Sequence, residues 1–221
     1  MKEPQAKERK LDIVLIGDFN PHIFQPEWFV LQKLLGDQEG ESAKIEIIHS
    51  DIAVFTLDWL RFEATRTRLV ATTRDDRYYE ILKDLIIGAF TILSHTPLRM
   101  LGVNNTFDYM VNDEKTWHGI GDKLAPKDIW SKVIDSPGLS SLAIAGKAVE
   151  VGNYKNIVRV SVNPTKVKLG LRVHINDHYE LIDGKDKSLG SNEVIDIFKK
   201  EWDNSQKKAV NIKNKFFEEL P

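Results

Sequence analysis

"KVKLGLRVHINDHYELI" (residues 166–182) alternates in a way that decides the fold. Val167, Leu169, Leu171, Val173 and Ile175 fall on one side, while Lys166, Lys168, Arg172, His174, Asn176 and His178 fall on the other. A period of two over branched residues predicts a strand with one face on a core and the other open to water or ligand. The two histidines stand four residues apart, a spacing that chelates well on a helix. On a strand rising ~3.3 Å per residue they are roughly 13 Å apart, too far to share a zinc held at ~2 Å from each ring. No metal is therefore expected. Asp177 breaks the pattern by falling on the apolar side. Either a bulge turns it outward beside His174 and His178, or it is a buried acid with a partner.

The neighbouring text "NIVRVSVNP" obeys the same rule, with Val158, Val160 and Val162 inward and Arg159, Ser161 and Asn163 outward. Further upstream, "LDIVLIGDF" (11–19) reads as a buried strand, and "PEWFVLQKLLG" as a helix opened by Pro26 and closed by Gly36. "AKIEIIHSD" (43–51) predicts a strand and "LRFEATRTRLVATTRD" (60–75) one long, threonine-rich strand. A helix follows, capped by Asp75 or Asp76, with Tyr78, Leu82, Leu85, Ile86, Ala89 and Phe90 at helical spacing. "LRMLGVNNTFDYMV" (98–111) reads as a strand or strand pair, followed by short helices in "DEKTWHGIGDKL" and "PKDIWSKVID" and a strand in "LSSLAIAGKAVEVG". A last helix starts at Ser191.

This order predicts an α+β fold, a mainly antiparallel sheet of about six to eight strands with helices on one face. Each half reads strand, helix, strands, helix, as two pseudo-repeats (11–97 and 98–204) without residue identity between them. The layout is similar to a TATA-binding-protein-like saddle, a likeness of element order and not of residues. Residues 1–10 read as a polar tail, 11–204 as a single domain, and 205–221 as a helical extension. Ile195, Phe198, Trp202, Ser205, Ala209, Ile212 and Phe216 form a heptad-like seam that packs on the chain's own sheet or on a second copy as a homodimer.

Composition excludes several chemistries. The 221 residues hold no cysteine, which removes thiol nucleophiles, disulfides and cysteine-ligated zinc and fits a cytoplasmic location. The net charge of -2 gives no global attraction to nucleic acid or membrane. No apolar run approaches the roughly 20 residues that span a bilayer. "GIGD" (119–122) is too short for a phosphate loop, and no cofactor is expected.

Three groups of residues are candidates for function. His174, Asp177 and His178 are the catalytic candidates if a bulge gathers them. Arg159, Lys166, Lys168, Arg172 and Asn176 make a locally basic strand face, with Arg66 and Arg68 sharing a face nearby; nucleic acid is the partner such a face would take. Asp18, Asn20 and His22 cluster where a strand hands over to a helix, a favoured place for functional loops. The reading that follows is a binding or assembly protein without covalent chemistry. Its alternative is a His/Asp hydrolase or nuclease-like enzyme.

Overall fold

The computed structural model describes residues 6–182 and 190–220. The first half contributes strands β1 (Ala6–Gly17), β2 (Lys44–Ile48), β3 (Ile52–Thr56), β4 (Arg61–Thr65) and β5 (Arg68–Thr73). Its helices are α1 (Pro26–Leu31), α2 (Asp37–Glu41) and α3 (Tyr79–Ile92). The second half contributes β6 (Leu98–Met110), β7 (Leu142–Ala145), β8 (Val149–Val151), β9 (Tyr154–Pro164) and β10 (Gly170–Leu181), with helices α4 (Glu114–Leu124) and α5 (Asn192–Glu218). All ten strands join one antiparallel sheet in the order β2-β3-β4-β5-β1-β6-β10-β9-β7, with β8 pairing β9 beyond the end of β7. The fold is the expected α+β arrangement, with more strands than the periodicity resolved.

Helices cover one face only. The cross-strand row Phe55, Phe62, Ala71, Ile13, Val103, Asp177 and Val158 runs along that face, apolar everywhere except at Asp177. In the first half α1 closes the core: Phe29 packs on Phe55 and Phe62, and Phe24 on Phe62 and Phe90. Helix α3 lies beside α5, where Trp202 Nε1 donates to Glu80 Oε1 at 2.6 Å. Helix α5 also crosses β6 and β10, and Phe217 near its end is fully buried against Tyr109.

Several elements differ from the sequence expectation. Residues 60–75 form a hairpin, not one strand, because Arg66 and Thr67 make a turn in which Thr65 Oγ1 bonds both backbone groups of Arg68. Strand β3, which periodicity passed over, pairs with both β2 and β4. The "PKDIWSKVID" stretch keeps only a short 3-10 turn at Trp130–Lys132. Strand β1 begins at Ala6, inside the supposed polar tail, since β6 is long enough to pair with it there. Strand β10 begins at Gly170, and Leu169 before it takes a positive φ of 58° in the hairpin loop. Val167 is thus exposed instead of inward-facing. Helix α5 passes through Ser205 without a break, so 205–218 continue one helix. Ser191 does not cap that helix with its side chain. Its hydroxyl donates to Phe90 O at 2.6 Å, satisfying a carbonyl in the last turn of α3.

Candidate functional site

The uncovered face of the sheet carries a second cross-strand row directly beside the apolar one. Arg61, Thr72, Asp12, Asn104, Asn176 and Arg159 stand in register on β4, β5, β1, β6, β10 and β9. Paired residues share a face, so all six project to the open side. Thr72 Oγ1 donates to Asp12 Oδ1 at 2.6 Å, Asn176 Nδ2 donates to Asn104 Oδ1, and Arg159 Nη1 donates to Asn176 Oδ1 at 3.3 Å. Asp12 and Asn104 are buried although no helix covers them. Their neighbours along and across the strands shield them, which makes the middle of this face a shaped polar surface. Gly102, one row further along, deepens it: a Cβ there would stand 3.2 Å from Asn176 Nδ2.

A cleft of about 640 Å³ opens over this row on the first-half side. Its floor is Lys10, Asp12, Val14, Val70, Thr72 and Asn104, and its wall is the β3–β4 connection from Thr56 to Leu60. Trp59 stiffens that wall by stacking on Tyr78, with ring centroids 5.1 Å apart and planes within 5°, and by donating to Glu39 Oε1 at 2.8 Å. Most cations at the rim are committed to carboxylates. Lys10 pairs with Asp12 at 2.8 Å, Arg74 with Glu8 at 3.1 Å, and Arg61 with Glu46. The Arg68 guanidinium, also in the lining, has no carboxylate partner among the described residues.

His174 reaches the same cleft from β10. Its Nδ1 lies 2.9 Å from Thr106 Oγ1, which leaves Nε2 for other contacts. Burial pushes the His174 ring below the usual histidine pKa, and burial followed by the Arg159 charge does the same for His178. Both rings are therefore neutral at pH 7, when they offer hydrogen bonds and no charge.

Asp177 is not part of this site. Strand β10 keeps unbroken register with β6 and β9, so no bulge turns the carboxylate toward the histidines. It points to the helix face, 2% exposed, where Lys208 of α5 reaches its two oxygens at 2.9 and 3.1 Å. Asn156 Nδ2 and the Tyr179 hydroxyl donate to it at 2.7 and 2.8 Å. Burial and this carboxylate together push the Tyr179 hydroxyl far above the usual tyrosine range. The group is an anchor for α5, and the three catalytic candidates do not come together.

The other candidates are also dispersed. Lys166 and Lys168 lie in the β9–β10 loop and not on a strand, with Lys168 paired to Glu114 at 3.0 Å. Arg172 does face the open side, held by Asp108 through two bonds of 2.6 Å. Arg66 sits in its turn, paired with Asp51, and shares no strand face with Arg68. Asp18 receives Arg99 Nη1 at 3.0 Å, and Asn20 accepts from His22 N at the start of a 3-10 turn. Asn20 is a local cap and Asp18 is held by its ion pair with Arg99 on β6, and the cleft is lined by none of Asp18, His22 and His178. Ser50 and Asp51 both approach Nδ1 of His49 at 3.4 Å, whereas a charge-relay arrangement needs them on opposite nitrogens. Among the described residues no three His, Asp or Glu side chains converge as a metal site would require.

No protein-family model and no curated protein matches the chain. The site therefore rests on geometry alone. Lys10 and Asp12 on β1, Trp59 in the β3–β4 connection and Asn104 on β6 escaped the sequence reading because these three segments are joined only by strand order. No helix is long and apolar enough to cross a membrane among the described residues.

Proposed function

We propose that this chain is a binding protein, without covalent chemistry of its own, whose open sheet face holds a small polar ligand bearing a phosphate or carboxylate. The observation that carries this reading is Arg68, a cation lining a cleft of about 640 Å³ with no carboxylate partner among the described residues, while Lys10, Arg61 and Arg74 around it are paired. That volume lies within the roughly 300–1,000 Å³ range of small-molecule sites. Neutral His174 and the Asn104 amide supply hydrogen bonds to the uncharged part of such a ligand, and Trp59 supplies a fixed apolar edge. A cytosolic setting suits a chain without cysteine.

Extended nucleic acid fits this face less well. Arg172, Arg74 and Arg61 are already neutralised by Asp108, Glu8 and Glu46, so few charges remain to displace counterions. A hydrolytic reading would need His174, Asp177 and His178 on one side of the sheet. A dimer through α5 has lost its apolar motive, because Phe217 and Ala209 are covered by the chain's own strands.

Thermal denaturation against a panel of mononucleotides, sugar phosphates and dicarboxylates tests the proposal. A true ligand at 100 times its Kd adds about 2.7 kcal/mol of apparent stability. Arg68→Ala should abolish that shift while leaving the unliganded melting temperature unchanged, since Arg68 is exposed. Absence of any shift across the panel, or a shift that survives Arg68→Ala, overturns the reading.

A further inference from the structure

The ionic groups around the open-face cleft are balanced in number. Four cations, Lys10, Arg61, Arg68 and Arg74, stand there with four carboxylates, Asp12, Asp58, Glu63 and Asp75. Lys10 pairs with Asp12, Arg61 with Glu63 and Glu46, Arg74 with Glu8, and Asp75 with Arg77. Two groups remain without an ionic partner among the described residues, Arg68 and Asp58, one of each sign and both exposed. A lining without net charge gives little advantage to a ligand that is only an anion. It favours one that brings a positive group of its own.

The two unpaired groups stand at opposite ends of the cleft. Arg68 opens β5 opposite Ile16, whereas Thr72 further along the strand lies opposite Asp12 on one side and Arg61 on the other. The chain ahead of Arg61 passes beyond that row. Its turn, closed by Leu57 N donating to Leu60 O at 2.8 Å, carries Asp58, and the next residue, Trp59, stacks on Tyr78. The stretch of β5 from Arg68 to Thr72 alone separates the two ends by ~13 Å of backbone. Between them the floor offers both kinds of hydrogen-bonding group. The Thr72 hydroxyl gives its proton to Asp12 and is left to accept, while Asn104 accepts from Asn176 through Oδ1 and is left to donate through Nδ2.

We propose that the ligand of this cleft is a short extended peptide with free termini, its ammonium group at Asp58 and its carboxylate at Arg68. The inference rests on the binding reading above and makes the anion of that reading a C-terminal carboxylate. A single amino acid holds its two charges too close together to reach both ends. An extended chain rises ~3.3 Å per residue, so about four to five residues span the gap. Each peptide unit brings one donor and one acceptor, which is what the Thr72 and Asn104 side chains lack. Val14, Val70 and Trp59 in the lining give small apolar side chains a surface to touch. A phosphate monoester would satisfy Arg68 and leave Asp58 unanswered.

Titration calorimetry of the full chain with alanine peptides, from the dipeptide to the hexapeptide, tests the assignment. Affinity should rise at the tetrapeptide or pentapeptide, and N-acetylation or C-amidation should each weaken binding by about threefold or more. In Asp58→Asn, acetylation should cease to matter while amidation still does; in Arg68→Ala the reverse should hold. Both side chains are exposed, and an unchanged melting temperature without ligand shows that each variant is folded. Succinate, which brings anions only, should bind weakly through Arg68 and lose nothing in Asp58→Asn. Affinity independent of peptide length overturns the inference, as do blocked termini that bind as well as free ones. So do blocking effects that both variants leave in place. Succinate binding that needs Arg68, beside peptides that do not bind, removes the peptide and keeps the anion-binding reading. If neither probe binds, both fall.

Discussion

The two halves close their cores by different means. In the first, five phenylalanines (Phe24, Phe29, Phe55, Phe62 and Phe90) form a continuous set of ring contacts between 5.2 and 6.4 Å, sealed by a helix of six residues. In the second, a helix of 27 residues packs over β6 and β10 and is pinned by Lys208 to the buried Asp177, and the outermost strands keep apolar side chains in the open. The same face of the same sheet is stabilised by volume alone on one side, and by apolar packing of α5 together with one charged contact on the other. Apolar packing needs no particular partner and tolerates a short cover. A buried carboxylate demands one cation at one place, so it fixes the position of the helix that carries it.

The largest expected effect lies in the first half. Phe62 is fully buried among Phe24, Phe29 and Phe55, and Phe62→Ala should cost roughly 3–5 kcal/mol in chemical denaturation. A loss under about 1 kcal/mol would mean that the rings collapse freely and that the core is not specified by volume. In the second half, Lys208→Met leaves Asp177 charged and without its cation. Because the lysine is partly exposed, the expected loss is about 2–3 kcal/mol, below the range for a wholly buried pair. Adding Asp177→Asn to that variant should recover most of the loss. If the double variant is as unstable as the single one, the contact works by packing, and the contrast between the halves fails.

The smallest effect is in acid. His174 and His178 both sit on β10, and burial lowers both pKa values below 6.5 in the folded chain. The unfolded chain then binds more protons near and below pH 6.5, so stability is present above that pH and is lost as pH falls toward the folded values. Replacing both rings by asparagine should flatten the slope of stability between pH 6.5 and 5. An unchanged slope would assign the acid sensitivity to carboxylates instead.

Strand β10 shows what the sequence could and could not tell. Its alternation sorted Val173 and Ile175 from His174 and Asn176 correctly, because a period of two is a local property of the backbone. The same text posed Asp177 as either a bulged residue or a buried acid. Its resolving partner, Lys208, lies 31 positions away on a helix, and no local pattern links them. The cleft was illegible for a related reason. Asp12 and Asn104 are single polar residues in separate stretches of sequence, and only the β1–β6 register sets them side by side. The hairpin at Arg66–Thr67 hid because neither residue is a usual turn former, so threonine-rich text on both sides read as one strand.

The central position of β1 has a consequence for synthesis. As a nascent chain lengthens, β1 can pair with β5 once Thr73 has emerged, but its other neighbour spans Leu98–Met110. Until then, "LDIVLIG" presents a row of unsatisfied backbone groups to whatever strand is nearest. Once β6 arrives, its own far edge must wait for β10, which starts only at Gly170. The strands with the longest waits lie in the middle of the finished sheet. Translation between Thr73 and Gly170 is thus the interval in which a holding chaperone has the most to protect.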